Sequence, residues 1–141
     1  MARILSIDYG AKRTGVAVTD TLQIIANSLA TVATHELMKF LTDYFAKEEV
    51  ETVVVGLPKQ TDGTLSENAA RVKTFVSKFK EKFPQIKVVM HDERFTTVLA
   101  HQAILSGGVK KSARRDKGLA DRVSAVIILQ SYLEQIKYSK L

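Results

Sequence analysis

Three carboxylates sit where a hydrophobic pattern would not put them, and together they could do metal-ion chemistry. Asp8 closes the run Arg3-Ile4-Leu5-Ser6-Ile7, which reads as a buried strand. Glu93 follows another such run, Ile86-Lys87-Val88-Val89-Met90-His91. Asp121 opens the apolar final stretch and shares a helical face with Ala125, Ile128 and Tyr132. A buried carboxylate is costly unless it is paired, hydrogen-bonded or bound to metal. Taken alone, Asp8 is also explained by an aspartate bonding its own turn amides before Gly10. Sites in an open α/β sheet gather beyond the carboxyl ends of the strands, a region that all three acids could reach. Converging carboxylates repel unless a cation joins them, and hard divalent ions with oxygen ligands do so. Two Mg²⁺ ions about 3.5–4 Å apart would polarise a phosphodiester, activate a water and stabilise the leaving oxygen. Such a centre needs no thiolate and no imidazole, which suits a chain with three histidines and no cysteine. Spacing by itself does not bring the three acids together.

Basic residues flank the same positions. Lys12 and Arg13 follow Asp8 in a glycine turn, and Arg94 follows Glu93. Residues 107–118 carry Lys110, Lys111, Arg114, Arg115 and Lys117 against one acid, Asp116, with glycines at both ends. Like charges and glycines predict a flexible loop, and its position just before Asp121 suits a grip on phosphates. A solvated charged loop is the plainer reading of the same residues. The net charge of +6 points to a polyanionic partner such as nucleic acid. His91, at a strand end, reads as a structural hydrogen-bonder sooner than as a catalytic or substrate-binding group. Gly107-Gly108-Val109-Lys110-Lys111-Ser112 is no phosphate-binding P-loop, because it lacks the glycine before the lysine and follows a helical pattern.

The elements that must position these residues follow from periodicity. Strands are expected at residues 3–8, 15–20 and 23–33, as an antiparallel meander, and then at 52–56 and 86–91. A helix over 36–48 carries Leu37, Leu41, Tyr44 and Phe45 on one face. Leu65, Ala69, Val72, Val76, Phe79 and Phe83 mark a second helix, with Thr64 and Glu67 as a capping box and Pro84 as its stop. Thr96 can cap a third, ending at Gly107-Gly108, and the last helix spans about 119–136. The order βββαβαβαα predicts an α/β domain with a mixed sheet and helices on both faces.

The 141 residues suit a single domain, 45% hydrophobic and 26% charged, as in ordinary globular proteins. No apolar run approaches the ~20 residues that span a bilayer, and the N-terminus has no signal-peptide pattern. A cytoplasmic protein with no membrane partner is the expectation.

The segments Asp8-Tyr9-Gly10…Arg13…Gly15-Val16-Ala17-Val18, Val55-Gly56-Leu57-Pro58…Asp62-Gly63, His91-Asp92-Glu93-Arg94…Thr96-Thr97 and Asp121…Ser124-Ala125-Val126-Ile127-Ile128-Leu129 resemble, in order and spacing, the YqgF family. Its members are bacterial RNase H-like proteins described as pre-16S ribosomal RNA nucleases and as Holliday junction resolvases. The resemblance covers essentially the whole chain. It implies an RNase H-like mixed five-stranded sheet flanked by helices. It also implies that Asp8, Glu93 and Asp121 are the catalytic and metal-binding acids, with Mg²⁺ or Mn²⁺ as cofactor. A bacterial cytoplasmic setting and a role in maturing the 5′ end of 16S rRNA, with pre-rRNA and the ribosomal particle as partners, follow as expectations. Two positions depart from the family's pattern: Leu99, where glutamate is common, and Arg122, where a small residue is common.

Three other readings stay open. A junction resolvase would act on branched DNA and cut two strands symmetrically, which favours a dimer. Trimming RNA needs only a monomer, toward which the single-domain length leans. A nucleotide-binding domain like those of sugar kinases shares the Asp-x-Gly turn but works as a pair of such domains. A binder of nucleic acid or ribosomal particles whose carboxylates are merely structural is the third.

Overall fold

A computed structural model describes residues 2–57, 67–92 and 117–139, with the backbone alone at 67, 68, 92, 117–121 and 137–139. β1 (Arg3–Asp8), β2 (Arg13–Thr19) and β3 (Ala26–Ala33) form the expected meander. A 3-10 turn at Thr34–Glu36 leads into α1 (Leu37–Lys47), followed by β4 (Val50–Leu57), α2 (Glu67–Lys82), β5 (Lys87–Asp92) and α3 (Lys117–Ser139). The sheet order is β3-β2-β1-β4-β5. β1 pairs antiparallel with β2 and parallel with β4, and β5 extends the parallel half. The mixed five-stranded sheet expected from the sequence is therefore the sheet that forms.

Alternation along the central strands sorts the core into two layers. Leu5 and Ile7 of β1 join Val53 and Val55 of β4 beneath α1 and α2, where Leu41, Val72 and Phe79 complete the larger cluster. Ile4 and Val54 point the other way and meet Ala125, Ile128 and Leu129 of α3. Helices thus cover both faces, which is why β4 is an unbroken apolar run: Val53, Val54 and Val55 are all buried. The α2 stripe behaves as its spacing predicts, with Ala69, Val72, Val76, Phe79 and Phe83 buried. Leu65, the Thr64 cap and the expected helix after Thr96 lie outside the described residues.

Three strand and helix edges differ from expectation. β2 starts at Arg13, two residues early, and α1 is preceded by a 3-10 turn. β3 starts at Ala26, not near residue 23. There the Asp20 carboxylate intervenes: Oδ1 accepts the N–H groups of Ile24 and Ile25, each at 2.8 Å, and Oδ2 that of Leu22 at 3.2 Å. Gln23 takes φ 59° in the resulting loop, so Gln23-Ile24-Ile25, strand-like in composition, is held as a turn.

These bonds, first that from Ile25 and then that from Ile24, hold the Asp20 carboxyl below the ordinary carboxylate range. The stabilisation they give is complete above the unfolded-state value and is lost as pH falls through the lowered native value. Thermal melts taken from about pH 6 down to about pH 2 should therefore fall more steeply for the wild type than for Asp20→Asn. Parallel curves would show that the loop does not depend on this charge.

Candidate active site at the carboxyl end of the parallel strands

Asp8 is the last residue of β1 and is half-buried. By alternation it faces the same side as Ile4 and Ser6, the side that α3 covers. Ser6 is fully buried, and its hydroxyl donates to the Ala125 carbonyl at 2.6 Å, which pins α3 to β1. Asp8 pairs with Gly15 of β2, and Gly15 with Thr31 of β3. Arg122 of α3 closes this row by donating through Nη1 to the Thr31 hydroxyl at 3.4 Å.

These two bonds fix where α3 begins. From Ser6 to Asp8 is about 6.6 Å along the strand, and from Ala125 back to Asp121 about 6 Å along the helix. Both steps lead toward the same row, because Arg122, the neighbour of Asp121, already touches it at Thr31. The N-terminal part of α3, with the backbone of Asp121 in its second turn, therefore runs toward the row that holds Asp8, Gly15 and Thr31.

The parallel strands end together as well. Ile7, Val55 and Met90 are in register across β1, β4 and β5, so Asp8 and His91 each lie one residue beyond a common row. Nε2 of His91 is 2.9 Å from the Ser131 hydroxyl on α3. His91 thus has the structural role expected of it, tying β5 to α3. Glu93 follows Asp92, the last residue of β5, and lies outside the described residues.

The turn after Asp8 is braced from the far side. Thr34 donates its hydroxyl to the Gly10 carbonyl at 2.7 Å and its N–H to the Lys12 carbonyl at 2.9 Å. Its hydroxyl also sits 2.9 Å from that of the buried Thr14. A Cβ at Gly10 would collide with the Arg13 carbonyl oxygen. Gly10→Ala should therefore shift the turn and cost about 1–3 kcal/mol of stability, read as a lowered midpoint in urea unfolding. An unchanged midpoint would mean the turn adapts freely.

Lys12 is exposed on this turn and Arg13 at the first position of β2, where a phosphate chain could meet them. Lys117 is the first residue of α3. Arg94, Lys110, Lys111, Arg114 and Arg115 lie outside the described residues, as does Asp62. Among the described side chains no three His, Asp or Glu groups gather into a metal-holding cluster. Asp8 is the one acid of the proposed trio whose side chain is described, and its oxygen donors are of the hard type that suits Mg²⁺ or Mn²⁺. Sequence reading missed the supports: Ser6, Thr34, Thr31 with Arg122, and Ser131. Ser6 alone carried a signal, as a polar residue inside an apolar strand.

A family model described as RuvX, Holliday junction resolvase, matches residues 2–135. A protein of Phocaeicola vulgatus named "Putative pre-16S rRNA nuclease" is 59% identical over 138 residues, covering 98% of this chain and 99% of its own. Relatives of the same name from Bacteroides thetaiotaomicron and Flavobacterium johnsoniae are each 54% identical over 138 residues, 98% of this chain and 100% of theirs. Among solved structures, T. thermophilus RuvC in complex with a Holliday junction substrate superposes with TM-score 0.59 at 16% identity, covering 96% of each chain. That likeness is one of fold, and it is the RNase H-like fold that the sequence led us to expect.

Proposed function

This chain belongs to the RuvX family, and on that premise we propose that it is a metal-dependent nuclease that hydrolyses phosphodiester bonds in maturing the 5′ end of pre-16S rRNA. The observation that supports it is the seating of α3, held to β1 by Ser6 and to Thr31, in the row of Asp8 and Gly15, by Arg122, the chain neighbour of Asp121. The substrate follows the curated relatives, which match this chain over nearly its whole length. Asp8, Asp121 and Glu93 would hold the divalent cation, Mg²⁺ or Mn²⁺. When bound, two such ions would supply Lewis-acid activation of a water and neutralise charge at the leaving oxygen.

The chain's own residues do the rest. The carboxylates would hold the cation beside the scissile phosphate, and Ser6 and His91 keep α3 seated against β1 and β5. Lys12, Arg13 and Arg94 hold the flanking phosphates, with Lys110, Lys111, Arg114, Arg115 and Lys117 of the basic segment beside them. The setting is the cytoplasm, with pre-rRNA or a ribosomal particle as the partner, and a monomer suffices for trimming. No helix of the described residues is long and apolar enough to cross a membrane.

The family's description favours a second reading, a junction resolvase acting on branched DNA. A parallel cleavage assay separates the two. Precursor 16S rRNA fragments, matched single-stranded DNA and four-way junctions are incubated with Mg²⁺, Mn²⁺ or EDTA. Metal-dependent cutting confined to RNA supports rRNA processing, and paired symmetric nicks in the junction support the resolvase. Binding without cutting in every metal would overturn both.

A further inference from the structure

On the sheet face opposite α3, a groove of about 410 Å³ opens between the start of α1 and α2, right beside the turn that follows Asp8. That volume falls within the range of ligand clefts. Tyr9, the residue after Asp8, forms part of its lining with Phe75, their rings 5.1 Å apart between centroids. Arg71 and Lys78 stand along its α2 wall, seven residues or two helical turns apart, with Ala70 and Thr74 leaving the space between them low. Thr34 and His35 line the other side, and Thr34 is the residue that braces Gly10 and Lys12. Among the described residues no carboxylate pairs with Lys12, Arg71 or Lys78. Glu36, 4.0 Å from His35, is the acid at this rim.

We infer that this groove binds a single-stranded polynucleotide flanking the scissile bond, its phosphates on Arg71, Lys78 and Lys12 and a base against Tyr9, whose ring the buried Phe75 backs. An aromatic floor with unpaired cations on the wall is the arrangement by which proteins hold single strands, since every base has a stacking face and every nucleotide a phosphate. The cations are not simply the solvated side of a helix. Arg71 and Lys78 line the depression, whereas Lys73 and Lys80, equally spaced and equally exposed on α2, do not. The inference rests on the nuclease reading only for the identity of the scissile bond; the groove itself lies on the sheet face opposite α3.

The matched lysines make the test. Fluorescence anisotropy in EDTA, with labelled single-stranded RNA and DNA of one sequence, compares Arg71→Ala/Lys78→Ala with Lys73→Ala/Lys80→Ala. Both variants remove two positive charges from exposed positions of one helix. The groove variant should lose about tenfold or more in affinity, and its slope of log K against log salt should flatten by about 1.4, two phosphate contacts at ~0.7 each. The control should change by less than about threefold. Equal losses in the two variants would reduce the effect to net charge and overturn the groove, as would no loss in either. Loss with both RNA and DNA supports contacts to phosphate and base, and loss with RNA alone adds the 2′-hydroxyl to what the groove reads. Cleavage by the wild type in Mg²⁺ separates the two readings. Cutting together with groove-independent binding sinks the groove and keeps the nuclease; groove-dependent binding without cutting does the reverse.

Discussion

Asp8→Asn is expected to reduce metal-dependent cleavage by about 10³-fold or more, equivalent to about 4 kcal/mol of transition-state stabilisation, while the protein stays folded. The substitution keeps the shape of the side chain and removes the charge that a divalent cation needs. Asp8 is half-buried at the end of β1, and its backbone pairing with Gly15 does not depend on the carboxylate. The bonds that seat α3, from Ser6 to Ala125 and from Arg122 to Thr31, are left in place. Circular dichroism and a thermal melt should therefore match the wild type closely, with the loss confined to turnover. If the aspartate were only a turn-former, the opposite would hold: a lowered melting temperature with cleavage largely kept.

Phe79→Ala should give the largest loss of stability, about 3–5 kcal/mol. Phe79 is 1% exposed at the centre of the α1/α2 layer. Its ring lies 5.0 Å from that of Phe83 and 6.0 Å from those of Phe45 and Phe75, between centroids. Truncation removes the transfer free energy of the ring and leaves a cavity that its three aromatic neighbours cannot close. For a chain of this size the melting temperature should drop by roughly 10 °C or more. Because this layer lies on the far side of the sheet from α3, cleavage at saturating substrate, measured well below the new melting temperature, should stay within a few-fold of the wild type. A small shift in melting temperature would mean that the layer repacks, and the cluster would then matter less than its burial implies.

The contrast between these two residues mirrors what the sequence could reveal. Period-two alternation in β1 and β4 and the four-three spacing of α2 are local patterns, so the five strands, both helical faces and the buried Val53-Val54-Val55 run were legible. The start of β3 was not, because Ile24 and Ile25 look like strand residues. What holds them out of the strand is one carboxylate, Asp20, bonding amides up to five residues away. In the site, Asp8 announced itself as an acid closing an apolar run. The seating of α3 near it did not, since it depends on the register that carries Asp8 through Gly15 to Thr31 and on a bond from Arg122, 91 residues beyond Thr31. Arg122 had drawn notice only as a departure from the family pattern; its place against Thr31 gives the larger side chain a use.

The convergence of Asp8, Glu93 and Asp121 on one cation site is tested most directly by titrating Mn²⁺ into the wild type, Asp8→Asn, Glu93→Gln and Asp121→Asn and following the free ion by electron paramagnetic resonance. The expected result is saturable binding by the wild type, weakened about tenfold or more by each of the three substitutions, with cleavage lost in parallel. Wild-type Mn²⁺ affinity in any one of the variants would remove that residue from the site, and in all three it would contradict the metal-dependent mechanism itself.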